Sequence, residues 1–243
     1  MPDFLYNDIS EQFEKKILSG SLKQGDKLPS ERIMAQEYGV SRNVIRESLR
    51  LLSEKGLIET RSGKGVYVIF PNEKKIADSL ERVLISNKST LMDMLEVRET
   101  LELSIIQKAV VLAKPADIDT LKEICNRLDE EKNDLSKFVE DDSRFHIQIA
   151  RCTNNSIYPI LVSAFYKITD NQLFLFTKIN PNTVDATQAD HRRLTEAIEN
   201  KDAGSAERIM KSHLDGIRTD LSALEQRSGI SAGIEIEKTK LDD

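Results

Sequence analysis

The sequence predicts a mainly α protein in which an N-terminal winged helix-turn-helix precedes an antiparallel bundle of about six to seven helices. Two observations lead to this fold class. The first 70 residues mix short, capped helical segments with two strand-like segments around closely spaced glycines. From Asn72 to about Gln226, apolar residues recur at helical spacing and strand patterns are almost absent. We therefore expect a winged domain over residues 1–70, a hinge over 71–75, a helical domain over 76–227 and a flexible tail over 228–243.

The first elements are defined by their capping residues. A helix over residues 6–20 is followed by an extended Leu28-Pro29 step, because the residue before a proline avoids the helical region. Ser30 is placed to cap a second helix, and Gly39 is placed to end it in a left-handed conformation. Ser41 then caps a third helix that runs to about Lys55. Two helices joined by a four-residue turn are typical of a helix-turn-helix.

The next segment, LIETRSGKGVYVIF, indicates two short strands with a hairpin tip at Ser62-Gly63-Lys64-Gly65. Such a hairpin can serve as a wing beside the third helix. In a helix-turn-helix the N-terminal end of that helix meets the base edges of DNA. Arg42 and Arg46 lie there, and arginine can make two hydrogen bonds to guanine, as asparagine can to adenine. The alternative is that the arginines only form surface ion pairs with the neighbouring acidic residues Glu31, Glu47 and Glu54.

The composition limits where a nucleic acid could bind. The chain of 243 residues has a net charge of −6, which argues against indiscriminate binding. Residues 1–70 carry 11 Lys and Arg against 10 Asp and Glu, whereas the remainder carries 24 against 31. Any DNA contact must therefore come from clustered cations in the first domain. With no apolar run near about 18 residues, no signal-peptide pattern and no disulfide framework from two cysteines, we expect a cytoplasmic protein.

The helical part contains an unusual set of polar residues. All three histidines of the chain, His146, His191 and His213, fall on apolar helix stripes, and Asp142 lies one turn before His146. His191 and His213 flank the turn near Asn200 at distances that bring antiparallel helices level. A lone inward histidine is more often a satisfied core residue. Three with a carboxylate instead predict a divalent metal site, with zinc first and nickel, cobalt or manganese as alternatives.

Two resemblances extend these predictions. The segment LPSERIMAQEYGVSRNVIRESLRLLSEKGLIETRSGKGVYV resembles the winged helix of the GntR superfamily of bacterial transcription regulators. Asn43 stands where that family more often has another residue, which affects sequence preference and not the mode of binding. The resemblance implies a homodimeric repressor or activator that binds operator double-stranded DNA. The residues placed at its DNA contacts are Arg32, Ser41, Arg42, Asn43, Arg46, Gly63, Lys64 and Gly65.

The second part resembles the ligand-binding domain of the FadR branch, called FCD, in the segments LEVRETLE, FVEDDSRFHIQIA and ADHRRLTEAIENKDAGSAERIMKSHL. This resemblance implies a bundle that encloses a metal at Asp142, His146, His191 and His213, with a small carboxylate metabolite as effector. Arg98 lies on an inward stripe and could hold that carboxylate, or it could pair internally with Glu102. Asn155 matches a position near the pocket, and its alternative role is to cap the helix that begins near Ser156.

Three functions follow from these residues. The first is a metabolite-responsive transcription regulator, expected to be a repressor. The second is a metal-dependent enzyme fused to a DNA-binding domain, against which stands the lack of a spare histidine to act as a base. The third is a regulator in which the metal is purely structural.

Overall fold

A computed structural model describes residues 3–70, 73–87, 89–179 and 183–228. The chain forms two compact units that divide between Ile76 and Ala77. The first holds three short helices and a small sheet, and the second consists of helices and the short connections between them in its described residues. The predicted fold class is therefore confirmed.

The first unit is built from α1 (Asp3–Leu18), α2 (Glu31–Tyr38), α3 (Arg42–Glu54), β1 (Ile58–Arg61) and β2 (Gly65–Val68). Ser30 caps α2 by accepting from the backbone N–H of Ile33, and Gly39 ends it with a φ of 63°. Ser41 caps α3 in the same way, by accepting from Val44. These three predicted caps are confirmed.

The two strands pair antiparallel, with Ile58 opposite Val68 and Arg61 opposite Gly65. A single bridge joins Lys27 to Tyr67 along the outer edge of β2. The strands lie against a small core of buried apolar side chains from α1, α2 and α3, which includes Phe13, Met34, Ile45 and Leu52. This core supports the hairpin and α3 as one unit.

The division falls within α4 (Glu73–Ser86), and the second unit continues with α5 (Leu91–Leu112), α6 (Pro115–Glu130), α7 (Leu135–Arg151), α8 (Ile157–Ile179), α9 (Thr183–Glu199) and α10 (Ala203–Ser228). α7 packs between α6 and α8, while α10 packs against α5 and α9. Thr90 and Asp93 form a capping box at the start of α5. Short connections join neighbouring helices, as expected of an antiparallel bundle.

Three predicted boundaries differ from the structure. α1 runs over Asp3–Leu18 and not over residues 6–20. α4 begins at Glu73, so residues 73–75 of the expected hinge are helical, because Glu-Lys-Lys contains no helix breaker. α10 includes Ser228, the first residue of the expected tail, and the rest of that tail lies outside the described residues. Among the described helices, none has an apolar stretch long enough to span a bilayer.

Candidate DNA-binding surface and candidate metal centre

The N-terminal end of α3 presents a polar, exposed surface. Arg42, Asn43 and Arg46 lie within its first five residues and are exposed, as is Arg32 on α2. Ile45 and Leu49 on the opposite face are buried in the core of the first unit. The amphipathic pattern of α3 therefore anchors one face and leaves the arginine face open to a ligand.

One carboxylate contacts both arginines. Glu31, the first residue of α2, accepts from Nη2 of Arg42 at 3.4 Å and from Nη2 of Arg46 at 3.2 Å. Nε of Arg46 also donates to Oε1 of Glu31 at 3.5 Å. The hydrogen bonds from Arg46 and Arg42 lower the pKa of Glu31. The ion pairs that the sequence left as an alternative are thus formed, although both arginine side chains remain about 60% exposed.

The hairpin tip carries a second group of cations. Gly63 adopts a φ of +67° in the turn, and the exposed Lys64 follows it. Gly65 has a φ of +110°, and a Cβ there would lie 2.8 Å from Cε of Lys27. Arg61 stacks over the ring of Tyr67 at 4.4 Å. The glycines therefore allow a tight, cation-rich tip.

The helical unit brings the four predicted metal ligands together. Asp142 and His146 extend from α7, His191 from α9 and His213 from α10, and all four are buried. Each offers one nitrogen or carboxylate oxygen, and these atoms lie within 4.8 Å of one another. The rings of His191 and His213 are 5.2 Å apart between centroids, as the antiparallel pairing of α9 and α10 predicts.

The histidine nitrogens in this cluster fit a metal ion. Nε2 of His146, Nε2 of His213 and Nδ1 of His191 are buried without a hydrogen-bond partner among the described residues, and Nε2 of His191 lies 3.3 Å from Oδ1 of Asp142. Such atoms are costly in a protein interior unless something satisfies them. Three imidazoles with one carboxylate form a donor set suited to a borderline divalent ion.

Two further carboxylates orient the imidazoles. Oε2 of Glu102 lies 2.5 Å from Nδ1 of His146, and Oδ2 of Asp190 lies 3.8 Å from Nδ1 of His213. A carboxylate at Nδ1 favours a proton on that nitrogen and leaves Nε2 as a ligand. The sequence prediction missed the contacts of Glu102 and Asp190 with the histidines because these residues meet only through helix packing.

Burial and charge favour the ligand forms of these residues. Burial lowers the pKa of His191, which keeps its imidazole neutral. Burial alone would raise the pKa of Asp142, but the hydrogen bond and charge of His191 hold that pKa below its usual range. A neutral imidazole and an ionised carboxylate are the forms that bind metal.

Arg98 is buried beside the cluster. Its Nε donates to Oε1 of Glu102 at 2.5 Å, and its Nη2 donates to the hydroxyl of Tyr166. The guanidinium carbon lies 3.9 Å from the centre of the Tyr166 ring. Because Glu102 also contacts His146, a continuous chain of polar contacts joins Arg98 to a metal-ligand candidate. The internal pair that the sequence left open is formed.

Asn155, unlike Arg98, is not buried. Its side chain is exposed, and its Oδ1 accepts from the backbone N–H of Ile157 at 2.9 Å. This contact caps the start of α8, which is the alternative role that the sequence left open.

Both units match known protein families. Residues 5–68 match the bacterial regulatory proteins of the gntR family, and residues 93–216 match the FCD domain. The chain is 30% identical over 226 residues to the Uxu operon regulator of Haemophilus influenzae, covering 90% of this chain and 82% of that protein. It is also 30% identical over 222 residues to the Exu regulon transcriptional regulator of Escherichia coli K12, covering 89% and 84%.

A solved structure supports the fold. Streptococcus agalactiae GntR superposes with a TM-score of 0.65 at 22% identity, covering 88% of this chain and 99% of that one. The matched families and relatives are transcription regulators, so the interpretation as an enzyme is set aside. The chain therefore belongs to the gntR family of bacterial regulatory proteins, as a ligand-responsive, DNA-binding transcription regulator with an FCD domain.

Proposed function

We propose that this protein is a homodimeric, metal-dependent repressor whose FCD domain binds a small carboxylate and thereby changes the affinity of the winged domain for its operator. The single observation that carries the proposal is the buried cluster of Asp142 and three histidines, whose ligand atoms lie within 4.8 Å of one another. Nε2 of His146 and Nε2 of His213 are buried without hydrogen-bond partners among the described residues, so a bound cation gives them a role.

The four ligands are Asp142, His146, His191 and His213. When bound, a divalent metal supplies a positive charge and coordination positions for an anionic effector. Zinc is the first candidate, with nickel, cobalt or manganese as alternatives. Four protein ligands already complete a structural zinc site. The identity of the metal therefore bears directly on whether an effector can join it.

Arg98 is the proposed effector contact. A carboxylate is the natural bidentate partner of a guanidinium, and Glu102 contacts the guanidinium of Arg98 through one oxygen. An effector carboxylate would compete with Glu102, which also contacts His146. Effector binding would thus rearrange the polar contacts around the metal ligands. The exposed Asn155 has no comparable support, so the effector proposal depends on Arg98.

The proposed DNA-binding surface consists of α3 and the hairpin tip. Arg42, Asn43 and Arg46 would contact base edges in the major groove, and Arg32 would contact phosphate or a base. Lys64, which lies between Gly63 and Gly65 in the sequence, would approach the DNA backbone. Ser41 caps the start of α3. A homodimer would place two such surfaces on half-sites about 34–36 Å apart.

The decisive experiment compares two adjacent aspartates. Asp142→Asn removes a proposed ligand, whereas Asp141→Asn alters a buried carboxylate that contacts Arg127 and Arg144 instead. An operator duplex is first selected from a random pool by the wild-type protein, and acids that co-purify with it are identified by mass spectrometry. Fluorescence anisotropy then measures duplex release when each acid is added, and circular dichroism reports the folded fraction.

We expect folded Asp142→Asn protein to bind the duplex but to lose its response to the acid, and we expect Asp141→Asn to respond like the wild type. An unchanged response in folded, metal-free Asp142→Asn would contradict the sensing role of the metal. Loss of the folded bundle only when the metal is removed would favour the purely structural role.

A further inference from the structure

Glu31 is poised to influence how the arginines meet DNA. Its side chain is 30% exposed and contacts Arg42 and Arg46 together, whereas each arginine is about 60% exposed. Glu31 is held at the first position of α2, directly after the Ser30 cap. The cap and the start of α3 therefore place one carboxylate between two proposed DNA contacts.

The contacts of Arg46 leave one edge of its guanidinium outside the pair. Nε and Nη2 point to Glu31, and Nη1 takes no part in these hydrogen bonds. A guanidinium has five N–H donors in a planar fork, so one edge can hold a carboxylate while another meets the two acceptors of a guanine. Glu31 can thus remain in contact while Arg46 contacts a base.

Glu31 affects contacts with DNA phosphates differently from contacts with bases. Phosphates are present on every sequence, and cations that pair with them supply most of the affinity for non-operator DNA. A carboxylate already bound to both arginines competes for those cations and repels an approaching phosphate. On non-operator DNA the arginines have only phosphates to contact, so this competition weakens binding there. On an operator they contact base acceptors while Glu31 stays in place, so the competition has little effect.

We infer that Glu31 is a specificity-determining residue, which weakens binding to non-operator DNA by competing with phosphates for Arg42 and Arg46. This inference rests on the proposed DNA-binding surface. It differs from the interpretation of the same contacts as ordinary surface ion pairs, which would have no effect on the choice between DNA sequences.

The test measures full-length protein on two fluorescent duplexes by anisotropy. One is the duplex selected by the wild-type protein, and the other has the same length and base composition in shuffled order. Glu31→Gln keeps the shape of the side chain and removes its charge. Glu37→Gln, at an exposed position on the same helix, removes the same charge without these arginine contacts. Glu31→Asp keeps the charge and provides a second variant should Glu31→Gln unfold.

We expect Glu31→Gln to bind the shuffled duplex roughly five- to ten-fold more tightly, with a salt slope steeper by about one, while affinity for the selected duplex changes less than about two-fold. Glu37→Gln should affect both duplexes equally, and Glu31→Asp should stay close to the wild type on the shuffled duplex. The inference is overturned if Glu31→Gln shows the same preference as Glu37→Gln, or if it loses affinity only for the selected duplex.

A separate variant distinguishes failure of this inference from failure of the proposed surface. If Arg46→Ala leaves affinity for the selected duplex unchanged, the proposed DNA-binding surface itself is wrong. If Arg46→Ala weakens binding but Glu31→Gln leaves the preference unchanged, only the role of Glu31 is wrong.

Discussion

Arg46 combines exposure, a rigid helical position and a partner that orients its guanidinium. We expect Arg46→Ala to lower operator affinity by about 1–3 kcal/mol, because a bidentate base contact is lost. Arg50→Ala is the matched control, since Arg50 lies one turn later and pairs with Glu47 and Glu54. Equal losses for the two variants in a DNA titration would contradict a base contact by Arg46.

The two cysteines show how burial sets reactivity. Burial raises the pKa of Cys152 to about 12, and it raises the pKa of Cys125 as well. Both thiols should therefore resist iodoacetamide at pH 8 in the folded protein and react after denaturation. Mass spectrometry counts the adducts, and rapid labelling of either cysteine in native protein would contradict the buried positions.

Single residues also mark the limit of prediction from sequence. The inward placement of Asp142 and His146 follows from their spacing on one helix stripe. The contact of Glu102 with His146 joins residues 44 positions apart, and the contact of Arg98 with Tyr166 joins residues 68 apart. No local pattern encodes such pairs, because they depend on how α5, α7 and α8 pack.

At the level of elements, capping residues carry local information. Ser30, Gly39 and Ser41 predict the ends of α2 and the start of α3, since each satisfies backbone groups that a helix end leaves open. The start of α4 was harder to predict, because Glu73-Lys74-Lys75 suits both a polar linker and a helix. Caps were therefore better guides to these boundaries than polarity.

The hairpin tip gives a prediction about salt. Lys64→Ala should weaken binding to the selected and the shuffled duplex alike and reduce the salt slope by about one, because a phosphate contact carries no sequence information. Affinity measured across a series of salt concentrations checks this. A loss confined to the selected duplex would indicate that Lys64 contacts bases.

The packing of α5 on α10 should depend on pH. Glu99 on α5 accepts from Lys211 at 3.0 Å and from Arg218, both on α10, and these hydrogen bonds lower its pKa. A carboxyl group whose pKa is lower in the folded protein stabilises the fold at pH values above its pKa in the unfolded chain, about 4.5. This stabilisation is lost as the pH falls through the pKa of the folded state.

Wild type should therefore have a higher free energy of unfolding than Glu99→Gln. This difference should be largest near neutral pH and should decrease below about pH 4.5. Urea titrations at several pH values measure it, with Glu96→Gln, an exposed position on α5, as the control. A difference that stays constant down to pH 3 would contradict a role for the Glu99 charge.

At the level of the whole molecule, the bundle turns scattered positions into one site. α7, α9 and α10 each contribute to the cluster, and Glu102 on α5 adds a supporting contact. The antiparallel arrangement of α9 and α10 was predictable from the short turn between them, and it places His191 beside His213. The regulator family follows from both units together, since the winged unit and the FCD domain match separately.

Whether this FCD domain holds a divalent metal can be measured from the metal content of the purified protein. Protein stripped with a chelator is incubated with excess zinc, nickel or manganese, desalted and measured by plasma mass spectrometry. We expect about one tightly held ion per wild-type chain and loss of that ion in folded His191→Ala and Asp142→Asn. A wild-type chain that retains no ion, or variants that retain as much as the wild type, would contradict it.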